Sequence, residues 1–121
     1  MSTKPRLVEA DVTRVMGPDL FEAKIDLEFD IQTTRRLKLS GVDSQHLRAL
    51  SPGDVQRATE FLRSRIEGQK VLIRPVRKGE HFYARVYYGP EESDVLEEMV
   101  TSGLLRKFER NGDGNGEEDA R

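Results

Sequence analysis

Phe21 to Ile31 is the segment that most constrains how this chain can fold. Phe21, Ala23, Ile25, Leu27, Phe29 and Ile31 alternate without a break with Glu22, Lys24, Asp26, Glu28 and Asp30. Six matches at period two predict one long strand with a buried face and a wet one. Before it, Leu7 to Met16 reads as a first strand with Val8, Ala10 and Val12 on one face, closed by the turn signal Gly17-Pro18-Asp19. After it, Thr33 and Thr34 open a third strand in which Leu37 and Leu39 face away from Arg36 and Lys38. Gly41-Val42-Asp43 then leads that strand out into a loop.

The period changes at Ser51-Pro52-Gly53-Asp54, a helix start with a capping serine, proline in the first turn and an acid at the positive end of the dipole. Val55, Ala58, Leu62 and Ile66 make an apolar stripe at helical spacing, and Gly68 ends it. Val71, Ile73 and Pro75 predict a fourth strand, with Pro75 at a sheet edge or at the strand's end. Lys78-Gly79-Glu80 turns into a fifth strand with Phe82, Ala84, Val86 and Tyr88 on one face. Ser93 to Ser102 reads as a second helix that buries Leu96, Met99 and Val100 and stops at Gly103. Three strands, a helix, two strands and a closing helix are the element order of an OB-fold, a five-stranded Greek-key barrel. The class is mainly β with helices; a small α+β sheet with two helices on one face shares the same periodicities.

At 121 residues the chain is expected to be one domain over residues 7–108, with a flexible N-terminus at 1–6 and a disordered acidic tail at 109–121. No apolar run approaches the roughly 18 residues of a membrane span, and the N-terminus has no apolar stretch of the signal-peptide kind. A cytoplasmic protein without a membrane partner is the expectation. The absence of cysteine excludes disulfides and thiolate metal sites.

Charge is distributed in blocks. Residues 1–34 carry net −3, residues 35–85 net +7 and residues 86–121 net −6. A basic middle between acidic ends suits a phosphate-facing surface, although such blocks also occur on ordinary solvated surfaces. The phosphate candidates are Arg35, Arg36, Lys38, Arg74, Arg77, Lys78 and Arg85. Tyr83 and Tyr87, opposite the buried face of the fifth strand, either stack on bases or pack against a helix.

Leu37 to His46, reading LKLSGVDSQH, resembles the active-site strand and loop of the staphylococcal nuclease (thermonuclease-like) family. Val15 to Ala23 (VMGPDLFEA) is similar to that family's first turn and following strand, and Val95 to Phe108 (VLEEMVTSGLLRKF) to its closing helix. The resemblance spans Val8 to Phe108 and implies the OB barrel. It also implies a calcium site at Asp19 and Asp43, with Ser44 as the small residue after the second aspartate. The same two carboxylates serve equally well to cap a turn and to accept loop amides. At the family's catalytic places this chain departs from the pattern: Lys38 stands for the first arginine, His46 for the glutamate and His81 for the second arginine. Lysine keeps the charge and loses the bidentate fork, and these three exchanges argue against calcium-dependent nuclease activity of the family's kind.

Three functions follow. The first is a binding module for single-stranded DNA or RNA with the nuclease activity lost. The second is an active phosphodiesterase, which uses either residual Ca2+ at Asp19 and Asp43 or His46 and His81 as general base and acid. The third is a protein-interaction module with residues 109–121 as an acidic arm.

Overall fold

The alternation that begins at Phe21 runs on past the end of the strand it predicts. In the computed structural model, which describes residues 7–108, β1 (Val8–Val15) pairs antiparallel with β2 (Leu20–Asp26), and β2 pairs antiparallel with β3 (Gln32–Leu39). Leu27 to Ile31 is a hairpin tip, not strand. Leu27 N–H donates to the Ile31 carbonyl at 2.8 Å, and Glu28, Phe29 and Asp30 all take left-handed backbone, with φ of 76°, 55° and 64°. Leu27, Phe29 and Ile31, expected on the buried face, are 50 %, 88 % and 55 % exposed. The reason is the length of the partners: β1 follows β2 only to the Ala10–Ile25 pair, so no layer lies over the tip.

A second correction follows β3. The loop expected after Gly41-Val42-Asp43 contains a short helix, α1 (Ser44–Arg48), capped by Asp43, whose Oδ1 accepts from the amides of Gln45 at 3.0 Å and His46 at 3.3 Å. Helix α2 (Pro52–Ile66) begins where the sequence places it. Ser51 Oγ accepts the Asp54 amide at 3.1 Å, and Ala58, Leu62 and Ile66 are buried against the barrel. Arg63 Nη2 donates to the Val15 carbonyl and Glu67 Oε2 accepts the Val15 amide, which pins the helix to the end of β1.

Strand β4 (Lys70–Lys78) pairs with β1 as far as Ile73, and along its length with β5 (His81–Tyr88). Pro75 therefore lies where β5 is the only neighbour, the one-sided position at which a missing N–H is tolerated. Parallel pairing of Lys38 with Tyr83 and of Leu39 with Ala84 joins β3 to β5 and closes the five strands into a barrel. Closure excludes the open sheet. The last helix is shorter than expected, because Ser93 and Asp94 form β6 (Ser93–Asp94) against β5 before Asp94 caps α3 (Val95–Thr101). Val95, Leu96 and Met99 are buried there, while Val100 is half-buried.

The core is the inward parity of every strand, with Phe21, Leu37, Leu39, Ile73 and Val86 at its centre and Leu62, Ile66, Leu96 and Met99 from the helices. Among the described residues no polar side chain is buried, and no helix is long and apolar enough to cross a membrane. The segments 1–6 and 109–121, expected to be a flexible N-terminus and an acidic tail, lie outside the described residues.

Candidate nucleic-acid interface

Three cations, Lys38, Arg48 and Lys78, meet at the end of the barrel where β3 leaves the sheet. Two backbone bonds fix that exit: Leu39 N–H donates to the Asp19 carbonyl at 2.8 Å and Ser40 N–H to the Ala84 carbonyl at 2.9 Å. Gly41 then takes φ +93°, and a Cβ there would lie 3.1 Å from Arg85 Nη1 and 3.3 Å from Leu96 Cδ2. The backbone favours glycine here, and an added Cβ would push both neighbours by a few tenths of an ångström. The chain after α3 returns to the same loop. Asp43 N–H donates to the Arg106 carbonyl and Phe108 N–H to the Gly41 carbonyl, each at 2.8 Å, around a Val42–Lys107 bridge.

Between the β3 exit, α1, the β4–β5 hairpin and Phe108 lies a cleft of about 420 Å³. Leu39, Val42 and Leu47 contribute to its apolar lining, and Lys38, Arg48 and Lys78 bring three cations to it. Tyr83 is half-buried in the same wall, beside Lys38 across the β3–β5 pairing, with Lys78 Nζ 5.7 Å from its ring centroid. Among the described residues Asp19 is the one carboxylate lining the cleft. Burial holds its carboxyl above the ordinary value, against the opposing pull of the nearby Lys38 charge and a backbone hydrogen bond.

A second basic group sits midway along β3. Arg35 has the parity of Leu37 and Leu39 but lies beyond the last buried leucine, and its guanidinium stacks 5.1 Å from the Phe82 ring. Arg77, directly across from Phe82 in β4, stacks on the same ring at 5.5 Å. Two arginines thus cover the aromatic ring at the edge of the core.

The structure brings together some of the residues expected at a site and separates others. Asp19, Lys38, Ser44, Lys78 and Tyr83 share the cleft. Asp43 lines a neighbouring depression instead, with Ser44, Glu97, Arg106 and Lys107, and its carboxylate caps α1. In that depression Lys107 Nζ lies 2.6 Å from Glu97 Oε2 and holds the Glu97 carboxyl below its ordinary value. Among the described residues no three His, Cys, Asp or Glu side chains gather as metal ligands.

Neither histidine lines the cleft: His46 is on α1 with Nδ1 enclosed and unpartnered, and His81 is exposed at the start of β5. Arg85 is engaged by Asp94 at 3.3 Å and Glu97 at 3.5 Å, which ties β5 to α3. Arg36 is exposed opposite Glu22, Arg74 is half-buried opposite Arg85, and Tyr87 is half-buried opposite Asp94. Sequence reasoning missed Arg48, Phe82 and Phe108. Arg48 follows His46 by two residues, a signal that was readable only with α1 in place. No protein-family model matches the sequence, and a search of curated proteins finds no match to it.

Proposed function

We propose that this chain is a cytoplasmic binding module for single-stranded nucleic acid, an OB barrel related to the thermonuclease-like family in fold and without its nuclease activity. The observation that carries the reading is the grouping of Lys38, Arg48 and Lys78 around Tyr83 in one cleft. Such a wall offers point charges to a phosphate backbone and a ring face to a base, the two contacts with which OB barrels hold a strand. Arg36, exposed on β3 beside this wall, extends the charge along the strand's path.

Fluorescence anisotropy with labelled single-stranded DNA and RNA at two salt concentrations tests the reading. Binding is expected at low salt and is expected to weaken steeply as counterions compete, by roughly 0.7 in log K per log salt for each phosphate held. Tyr83→Ala removes a stacking contact of about 1–3 kcal/mol and weakens binding about fivefold or more. Absence of binding at low salt, or binding indifferent to salt, rejects it.

One observation favours a second reading, cleavage of the bound strand. Asp19 lines the cleft beside Lys38, and burial holds its carboxyl above the ordinary value, the direction in which an acid–base carboxyl is shifted. In the calcium-dependent form of this reading Asp19 and Ser44 in the cleft and Asp43 in the adjoining depression would hold the cation; the metal-free form has Asp19 in the cleft without His46 or His81, neither of which lines it. Purified protein incubated with single-stranded substrates in calcium, then in chelator, separates these routes. No cleavage in either condition rejects the class.

A further inference from the structure

The hairpin tip between β2 and β3 has no role in the cleft and is the most exposed apolar feature of the described chain. Phe29 is 88 % exposed, with Leu27 and Ile31 beside it at about half exposure. Hairpin tips ordinarily carry glycine, asparagine or other polar residues, and a cluster of large apolar side chains at one marks a contact surface. Asp26, Glu28 and Asp30 interleave with them. Three acids repel a nucleic acid and an anionic membrane surface alike. They select a protein partner with an apolar pocket and a basic rim.

This molecule displays such a pocket. The cleft of about 420 Å³ is within the size range of specific side-chain and ligand pockets, roughly 300–1,000 Å³. Val42, Leu47 and Tyr83 give it apolar surface, and Lys38, Arg48 and Lys78 give it a positive rim. The tip cannot reach its own cleft. The tip lies beyond the Asp26–Gln32 pair and the cleft begins at the Leu20–Lys38 pair, six register steps apart on one ribbon. At strand rise that separation is roughly 20 Å.

We propose that the β2–β3 tip of one molecule inserts Phe29 into the Lys38–Arg48–Lys78 cleft of a second copy. The contact is head-to-tail, so each molecule offers one tip and one cleft, and association continues into chains unless the rotation closes a ring. The proposal stands on the tip and the cleft chemistry alone, and it holds whether or not the cleft also binds nucleic acid.

Sedimentation velocity of the full chain, without nucleic acid, over micromolar to near-millimolar protein tests it. Wild type is expected to show concentration-dependent oligomers that dissociate as salt rises. Phe29→Ser removes the insert and Arg48→Glu inverts part of the rim; each is expected to loosen association by about tenfold or more. Both sites are exposed, and circular dichroism checks that each variant is folded. Mixing the two variants restores one intact tip and one intact cleft, so the mixture is expected to form a dimer and nothing larger. A wild type that stays monomeric throughout overturns the proposal. So does association unaffected by Phe29→Ser, and so does a mixture that fails to pair.

Discussion

Gly41 bears the tightest constraint of any residue near the cleft. Its φ of +93° strains any other residue, and an added Cβ would press on Arg85 Nη1 at 3.1 Å and Leu96 Cδ2 at 3.3 Å. Gly41→Ala is expected to destabilise the fold by about 1–3 kcal/mol, because backbone strain adds to displacement of the Arg85 ion pairs. A drop of several degrees in the melting temperature checks it. Asp19 sets a pH dependence of opposite sign to that of an ion-paired carboxylate. Burial raises its carboxyl above the ordinary 3.8, so in the acid range the folded chain keeps a proton that the unfolded chain has released. The stability from this group is full below 3.8 and is lost as pH rises through the raised value. Asp19→Asn removes that loss. Urea midpoints across the acid range should show the variant gaining on wild type as pH rises, and parallel curves would contradict it.

Elements were legible in the sequence wherever a periodic pattern met a partner of matching length. Helix α2 is the clearest case, since its cap at Ser51 and its stripe of Ala58, Leu62 and Ile66 are where spacing places them. Ser51→Ala is expected to cost about 1 kcal/mol through the lost cap, and Leu62→Ala about 2–5 kcal/mol through a cavity against the barrel. Denaturant midpoints measure both. The β2–β3 tip shows the limit of the method: alternation is a local property, and it continues through Leu27, Phe29 and Ile31 after the flanking strands have ended. Helix α1 was invisible for a different reason, since its five residues carry one apolar side chain, Leu47, only partly buried, and are held by the Asp43 cap. One of the cleft's three cations followed from that helix. Lys38 and Tyr83 were readable from strand parity and Lys78 from the basic block, whereas Arg48 joins them only because α1 turns the chain back over the β3 exit. The commitment of Arg85 to Asp94 and Glu97 depends on β5 lying against α3, which no local pattern encodes.

At the scale of the whole molecule, the topology turns a charge block into a surface. The net +7 of residues 35–85 is spread along β3, α1, α2, β4 and β5, and the parallel β3–β5 pairing brings Lys38 beside Tyr83 and close to Lys78. Closing the barrel also shortens the free sheet edges through which a small β protein aggregates, and the acidic, apolar β2–β3 tip and the basic cleft are the two distinctive faces. The central claim is that this cleft grips the phosphates of a single strand. Its most direct test is the slope of log affinity for a single-stranded oligonucleotide against log salt, for wild type and for Lys78→Gln. The account predicts a steep negative slope for wild type, made shallower by about 0.7 in the variant as one phosphate contact is lost. Equal slopes in the two proteins, or no dependence on salt, would contradict it.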